Sequence, residues 1–287
     1  MTNFFRTSRI IFNNPYINPY MAFFRHCGWQ FRKIFGLFPY TVRMGDVEII
    51  VPDRSIAKGS AALANAMGYY DPNNMRFIEE LFSKKIYDTF FDIGANLGFY
   101  SLITANCGNN VKVYAFEPHP YTYSLLQNNV RANHAVEKIS CFQYAFGDRN
   151  ETVLFQDSPG DPENHVLDDG YSSGKAIEVN VCRGDNFCQQ SGITPQVIKI
   201  DVEGYENHVL EGFSTILKEV QLIFVECWDL EKTIRILCET NAFLGPYKID
   251  FQKRQLTKSD FQDEDWVFVS LSALTSLEKI SYTIKTV

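Results

Sequence analysis

Three absences set the first limits on this chain. Its seven cysteines (Cys27, Cys107, Cys141, Cys182, Cys188, Cys227 and Cys238) contain no Cys-x-x-Cys pair. An odd number spread that widely argues against a disulfide framework and against a structural zinc site, and a reducing, cytoplasmic setting is the expectation. No uninterrupted apolar run approaches the ~18 residues of a membrane-crossing helix, and the first residues lack the compact apolar core of a signal peptide. The third absence is local: Met1 to Gly45 contains no acidic residue against six Lys/Arg, a charge of +6. The remainder holds 21 basic and 34 acidic residues, a charge of −13. Affinity for nucleic acid rests on neutralising its phosphates, so a body this negative excludes nucleic acid as the expected partner.

What the first 45 residues do contain is aromatic rings. Twelve fall in the first 40 positions. Phe23, Cys27, Phe31, Ile34, Phe35 and Phe38 recur at helical spacing, with Arg25, Arg32 and Lys33 mostly elsewhere, which predicts an amphipathic helix. Such a helix either makes peripheral contact with a membrane or packs on the main domain, and packing is the commoner fate of an apolar face. Asn13, Asn14, Pro15, Asn18 and Pro19 predict a turn-like stretch before it. The chain thus divides into a basic aromatic extension (1–45), a lead-in hairpin and helix (46–86) and a main domain (87–287). Tyr40–Arg43 and Val47–Val51 give the hairpin, and Met75–Ile86 has the helical period.

From Thr89 onward apolar strands alternate with helical segments, the pattern of a mostly parallel sheet between two helical layers. Strands are predicted near 89–93, 111–116, 139–144, 196–200 and 221–226, with helices near 98–107, 120–132, 205–217 and 230–241. Val153–Gln156 and Ile177–Cys182 bracket a polar loop, 157–175, that reads as a lid or substrate loop. Tyr247–Phe251 and Trp266–Ser270 complete the sheet as an antiparallel pair.

The chemistry concentrates at strand ends. Asp92-x-Gly94-x-Asn96-x-Gly98 closes the first strand, and Glu117 closes the second nineteen residues after Gly98. Glycines let the backbone approach a ligand, and a carboxylate at that position accepts hydrogen bonds from a ribose diol, so the spacing indicates a nucleoside cofactor. A dinucleotide fold would favour Gly-x-Gly-x-x-Gly around a pyrophosphate. Here Asp92 stands two positions before the first glycine, where a carboxylate suits a cationic group better than a pyrophosphate, which favours S-adenosylmethionine over NAD. The plainer reading of these residues is a tight turn and a solvated strand end. Asp201, Glu203 and Glu226 converge at the ends of the strands predicted at 196–200 and 221–226. They suit a general base for attack by a hydroxyl, or a divalent cation that acidifies it, or simple capping of a helix N-terminus. The reading assigns no metal.

Three ordered blocks resemble the FkbM family of S-adenosylmethionine-dependent methyltransferases: Phe91–Ser101, Tyr114–Pro120 and Lys199–Gly204. Ala145-Phe146-Gly147-Asp148 and Gly170-Tyr171-Ser172-Ser173 add weaker matches. The resemblance covers roughly residues 85–230 and implies a Rossmann-like class I methyltransferase fold, with a seven-stranded sheet whose last strand is antiparallel. It implies O-methylation of a hydroxyl, on a saccharide, a glycan or another small molecule. It also implies that Asp92, Gly94, Asn96 and Gly98 line the methionine part of the cofactor, Glu117 the ribose, and Tyr144 and Ala145 the adenine. The chain departs from the family pattern at Tyr144, where a small polar residue is usual. A nicotinamide-dependent oxidoreductase and a non-catalytic interaction protein on the same fold are the alternatives.

Overall fold

The computed structural model describes residues 2–14, 17–158, 164–167, 175–258 and 265–285. The chain starts with two helices, α1 (Thr2–Asn13) and α2 (Pro19–Phe35). Asn18 caps α2, its side chain accepting from the Tyr20 and Met21 amides, and Pro19 occupies the first helical turn, where its missing N–H costs nothing. Helical structure is broken at Asn14, Ile17 and Asn18 as the composition predicts, with Pro15 outside the described residues, but Thr2–Asn13, Asn13 of that stretch included, is helical. The buried face of α2 also differs from the predicted one. Ala22, His26 and Trp29 point inward, while Phe31, Ile34 and Phe35 are exposed. Trp29 decides this, because its ring packs edge-on to Phe38 and Tyr40 at 6.1 and 5.8 Å and takes the helix with it.

The hairpin β1 (Tyr40–Met44) and β2 (Val47–Val51) follows as predicted. An alanine-rich helix that the sequence pattern did not reveal, α3 (Gly59–Met67), packs against α2, and α4 (Pro72–Ser83) leads into the main sheet. The alternating segment then runs β3 (Thr89–Ile93), α5 (Phe99–Asn106), β4 (Lys112–Phe116), α6 (Pro120–Ala132) and β5 (Ile139–Phe142). A three-stranded side sheet of β6 (Ala145–Gly147), β7 (Glu151–Gln156) and β8 (Ala176–Arg183) interrupts it, so the strand predicted to reach 144 stops at Phe142. After it come α7 (Gly184–Ser191), which was not predicted, β9 (Val197–Ile200), α8 (Glu206–Gly212) and β10 (Leu222–Glu226). The helix expected over 205–217 ends at Gly212, where a Cβ would lie 2.0 Å from the Gly147 carbonyl oxygen. The chain closes with α9 (Leu230–Ile234), β11 (Phe243–Asp250), β12 (Gln255–Thr257), β13 (Asp265–Ser270), α10 (Leu274–Lys279) and β14 (Thr283–Lys285).

Strands β5, β4, β3, β9 and β10 are parallel neighbours, and β13 then β11 continue the sheet with β13 antiparallel to both its neighbours. These are the seven strands expected. Short strands β12 and β14 extend the edge beyond β11, giving nine among the described residues.

Both faces of this sheet are dry, and the two-residue period sorts its side chains between them. Phe90, Val113, Val197, Leu222 and Phe224 join one core, which extends through Phe77 to Ile49, Val42 and Trp29. Phe91, Phe116, Ile198, Ile200 and Ile223 join the other. Asn129 of α6 locks the hairpin to the sheet: it accepts from the Ile50 amide at 2.9 Å and donates to the Leu97 carbonyl at 2.9 Å. Asn129→Leu would leave the buried Leu97 carbonyl and the partly buried Ile50 amide without these partners. It is expected to lower unfolding stability by about 2–4 kcal/mol, measured by urea titration.

Candidate active site

At the end of β3 the chain turns through Gly94–Leu97 into α5. Gly94 has φ 77°, and a Cβ there would lie 1.8 Å from the Asp201 carbonyl oxygen, so only glycine lets the ends of β3 and β9 come this close. The Gly94 and Ala95 amides donate to the Phe116 carbonyl at 3.0 and 2.9 Å, drawing the turn over the end of β4. Glu117 follows at once. Its carboxylate accepts from the Asn96 amide at 3.1 Å and the His119 amide at 3.0 Å. Burial outweighs both bonds and pushes its pKa up to about 7. Each oxygen still has a lone pair for a ligand hydroxyl.

A cavity of about 280 Å³ opens beside this turn, between the ends of β3, β4, β9 and β10. Its wall brings together eight predicted residues: Gly94, Asn96, Glu117, Tyr144, Ala145, Asp201, Glu203 and Glu226. The other two stand behind it. Gly98 (φ 90°) opens α5 against Leu126, whose Cδ1 would be 2.8 Å from an added Cβ, so this glycine serves packing. Asp92 is buried, and one carboxylate oxygen accepts from the Ser101 amide at 3.0 Å and the Ser101 hydroxyl at 2.6 Å.

The cation closest to Asp92 belongs to the protein. Asp92 on β3 and Lys199 on β9 are register partners on the same face of the sheet. Lys199 Nζ lies 3.9 Å from Asp92 and donates to Asp201 at 2.8 Å, and it sits 5.2 Å from the centre of the Tyr100 ring. Burial alone would lower the pKa of this lysine, but Asp201 and then Asp92 outweigh it and push the pKa above the ordinary value. The signal in the sequence is a lysine in Val197–Ile200, a strand otherwise wholly apolar. Tyr70 and Tyr100 also line the cavity, and Tyr100 donates to Asp71 at 2.5 Å.

On the far wall, burial first and then the charges of Asp201, Asp265 and Glu203 push Glu226 up to about 9, so it holds a proton at neutral pH. Glu203 and Gly204 both have positive φ, 55° and 99°, which turns Glu203 to the cavity and lays Gly204 beneath the Trp228 ring. Among the described residues, the group spaced to hold a metal ion is Asp148, His208 and Glu211, none of which lines the cavity. Of the loop expected to act as a lid, Asn164 and Val166 reach the cavity wall, and Val166 bridges back to Phe155. Gly170-Tyr171-Ser172-Ser173 lies outside the described residues.

A doubly wound sheet with a glycine turn, a buried strand-end glutamate and a cavity at the carboxyl edge defines an open α/β protein with its cavity where that architecture binds ligands. The family model for the methyltransferase FkbM domain matches residues 92–245, more than half of the chain, and the chain belongs to that family of methyltransferases. It is 30% identical over 142 residues to the hexuronic acid methyltransferase AglP of Haloferax volcanii, covering 48% of this chain and 55% of AglP. It is 26% identical over 156 residues to the 2-O-methyltransferase NoeI of Sinorhizobium fredii, covering 49% and 63%. These alignments span less than two thirds of either relative. The crystal structure of the methyltransferase FkbM of Methylobacillus flagellatus superposes with TM-score 0.45 at 14% identity, over 76% of this chain and 56% of that one.

Lys199→Met keeps the length of the side chain but leaves the Asp92 carboxylate buried without its cation. It is expected to cost about 3–5 kcal/mol of unfolding stability. Adding Asp92→Asn should recover a measurable part of that loss in the same denaturant titration.

Proposed function

We propose that this chain transfers a methyl group from S-adenosylmethionine to a hydroxyl of a saccharide. The observation that carries the reading is the shared cavity, in which the Gly94–Asn96 turn and Glu117 form one wall while Asp201, Glu203 and Glu226 form the next. A cationic donor suits walls so rich in carboxylates. The pyrophosphate of a nicotinamide dinucleotide would meet the same carboxylates with its own negative charge, and Lys199, the cation beside them, is already engaged by Asp201.

When bound, S-adenosylmethionine supplies a methyl group on a positively charged sulfur. The chain's own residues do the rest. Glu117 accepts from the ribose hydroxyls, and Tyr144 and Ala145 flank the base. Asp201, held by Lys199, takes the proton of the attacking hydroxyl, while Glu226 in its protonated form donates a hydrogen bond to the acceptor. Glu203 supplies the neighbouring charge that helps keep Glu226 protonated. Lys199 already pairs with the Asp201 carboxylate, so the proposal assigns no metal there. Alignment of hydroxyl, methyl and sulfur supplies most of the remaining acceleration. The saccharide class draws on AglP and NoeI, named for hexuronic acid and 2-O-methylation. It is supported by Trp228, an exposed indole beside the Glu203–Gly204 turn that offers a sugar ring a flat platform.

Asp201→Asn is expected to lower methyl transfer by about 10²–10⁴-fold while leaving S-adenosylhomocysteine affinity nearly unchanged. Radiolabelled transfer to a panel of uronic acids and neutral glycosides, with calorimetric titration of the product, reads both; undiminished turnover removes Asp201 from the mechanism. A second prediction concerns pH. Glu117 titrates near pH 7 in the free protein, so its carboxylate form is lost as pH falls below that value. S-adenosylhomocysteine affinity should therefore weaken by up to about tenfold per pH unit below that point. Glu117→Gln should bind more weakly and show a flat profile.

A further inference from the structure

Among the described residues, ten of the fourteen exposed large apolar side chains fall between Phe5 and Leu37. On α2 they form a stripe. Tyr20, Met21, Phe24, Phe31 and Phe35 lie on one side of the helix with Ile34 at its edge, each between 55% and 75% exposed. The opposite side is fixed to the body by Ala22, His26 and Trp29, so α2 cannot roll to hide the stripe. Scattered exposed apolar residues are ordinary; a contiguous aromatic patch marks an interaction surface.

Its charge says what kind. Residues 1–45 carry only positive side chains, with Arg9 and Arg25 exposed, whereas the rest of the chain is strongly negative. Lys33 lies near Arg54 and Lys58, which extends the basic ground past the helix end. Two such faces from two copies would bring like charges together. We propose that the α1–α2 face docks on an anionic lipid surface, with the aromatic stripe entering the headgroup region and the flanking basic residues meeting lipid phosphates. Amphipathic helices with aromatic and basic faces bind bilayers in this way, without crossing them. Among the described residues no helix is long and apolar enough to cross a membrane. Docking would set the cavity one helix away from the lipid, because Leu63 of α3 packs against the small core that holds Ala22 of α2 and also lines the cavity.

Flotation of the full chain with phosphatidylcholine vesicles, with and without phosphatidylglycerol, tests this independently of methyl transfer. The protein should float with the anionic vesicles, and less so as ionic strength rises. Arg9→Gln and Arg25→Gln should each weaken that binding about fivefold. The triple variant Phe24→Ser, Phe31→Ser, Phe35→Ser should weaken it at least about tenfold, with S-adenosylhomocysteine affinity and melting temperature unchanged because all three positions are exposed. Should the triple variant lose its fold, the two arginine variants decide alone. Wild-type protein that stays unbound to anionic vesicles overturns the proposal. So does a dimer in sedimentation velocity that the phenylalanine substitutions dissolve while no flotation occurs, since the face would then belong to a second copy.

Discussion

The ammonium group of Lys199 holds the middle of this molecule together. It is buried, its 2.8 Å bond to Asp201 stays within the end of β9, and its 3.5 Å bond to the Gly94 carbonyl and 3.9 Å approach to Asp92 tie that end to β3. A charge so placed would be very costly without partners, and with them it fixes position more than it adds stability. The glycine turn depends on this register. Gly94 meets the Asp201 carbonyl with no room for a Cβ, so a displaced β9 would move the cavity wall and Asp201 together.

The rest of the site follows from crowding acidic groups at one sheet edge. Glu226 is raised to about 9 by burial and by Asp201, Asp265 and Glu203, and Glu117 to about 7 chiefly by burial. Two carboxyl groups in one cavity thus differ in charge at neutral pH, one protonated and one near its midpoint. Environment, rather than residue type, sets these two protonation states apart.

The amino-terminal part is bound to this site by packing. One apolar core runs from Trp29 through the hairpin to Phe90, and Asn129 bonds both the hairpin and the backbone of the glycine turn. The same helix that contributes Trp29 to that core presents its aromatic stripe to the outside. Its two faces therefore do different work, one inside the fold and one at its surface.

The alternation of strands and helices, the glycine turn, Glu117 and the carboxylates at positions 201, 203 and 226 were all legible in the sequence, because a buried parallel sheet imposes apolar runs and strand-end chemistry that are local in the chain. Six of the residues read that way line the cavity, and Tyr144 and Ala145, expected from the family resemblance alone, line it too. Asp92 lies behind the wall because its partner, Lys199, comes from a strand more than a hundred residues away, and only the sheet register makes them neighbours. The face that α2 buries was misread for a related reason: helical period shows that an apolar face exists, but Trp29 meeting Phe38 and Tyr40 decides which face turns inward. Local pattern determined the fold class and the strand-end residues that gather at the cavity. Non-local register and packing decided where the cation sits and which aromatics face outward, since those are set by contacts between segments far apart in the chain.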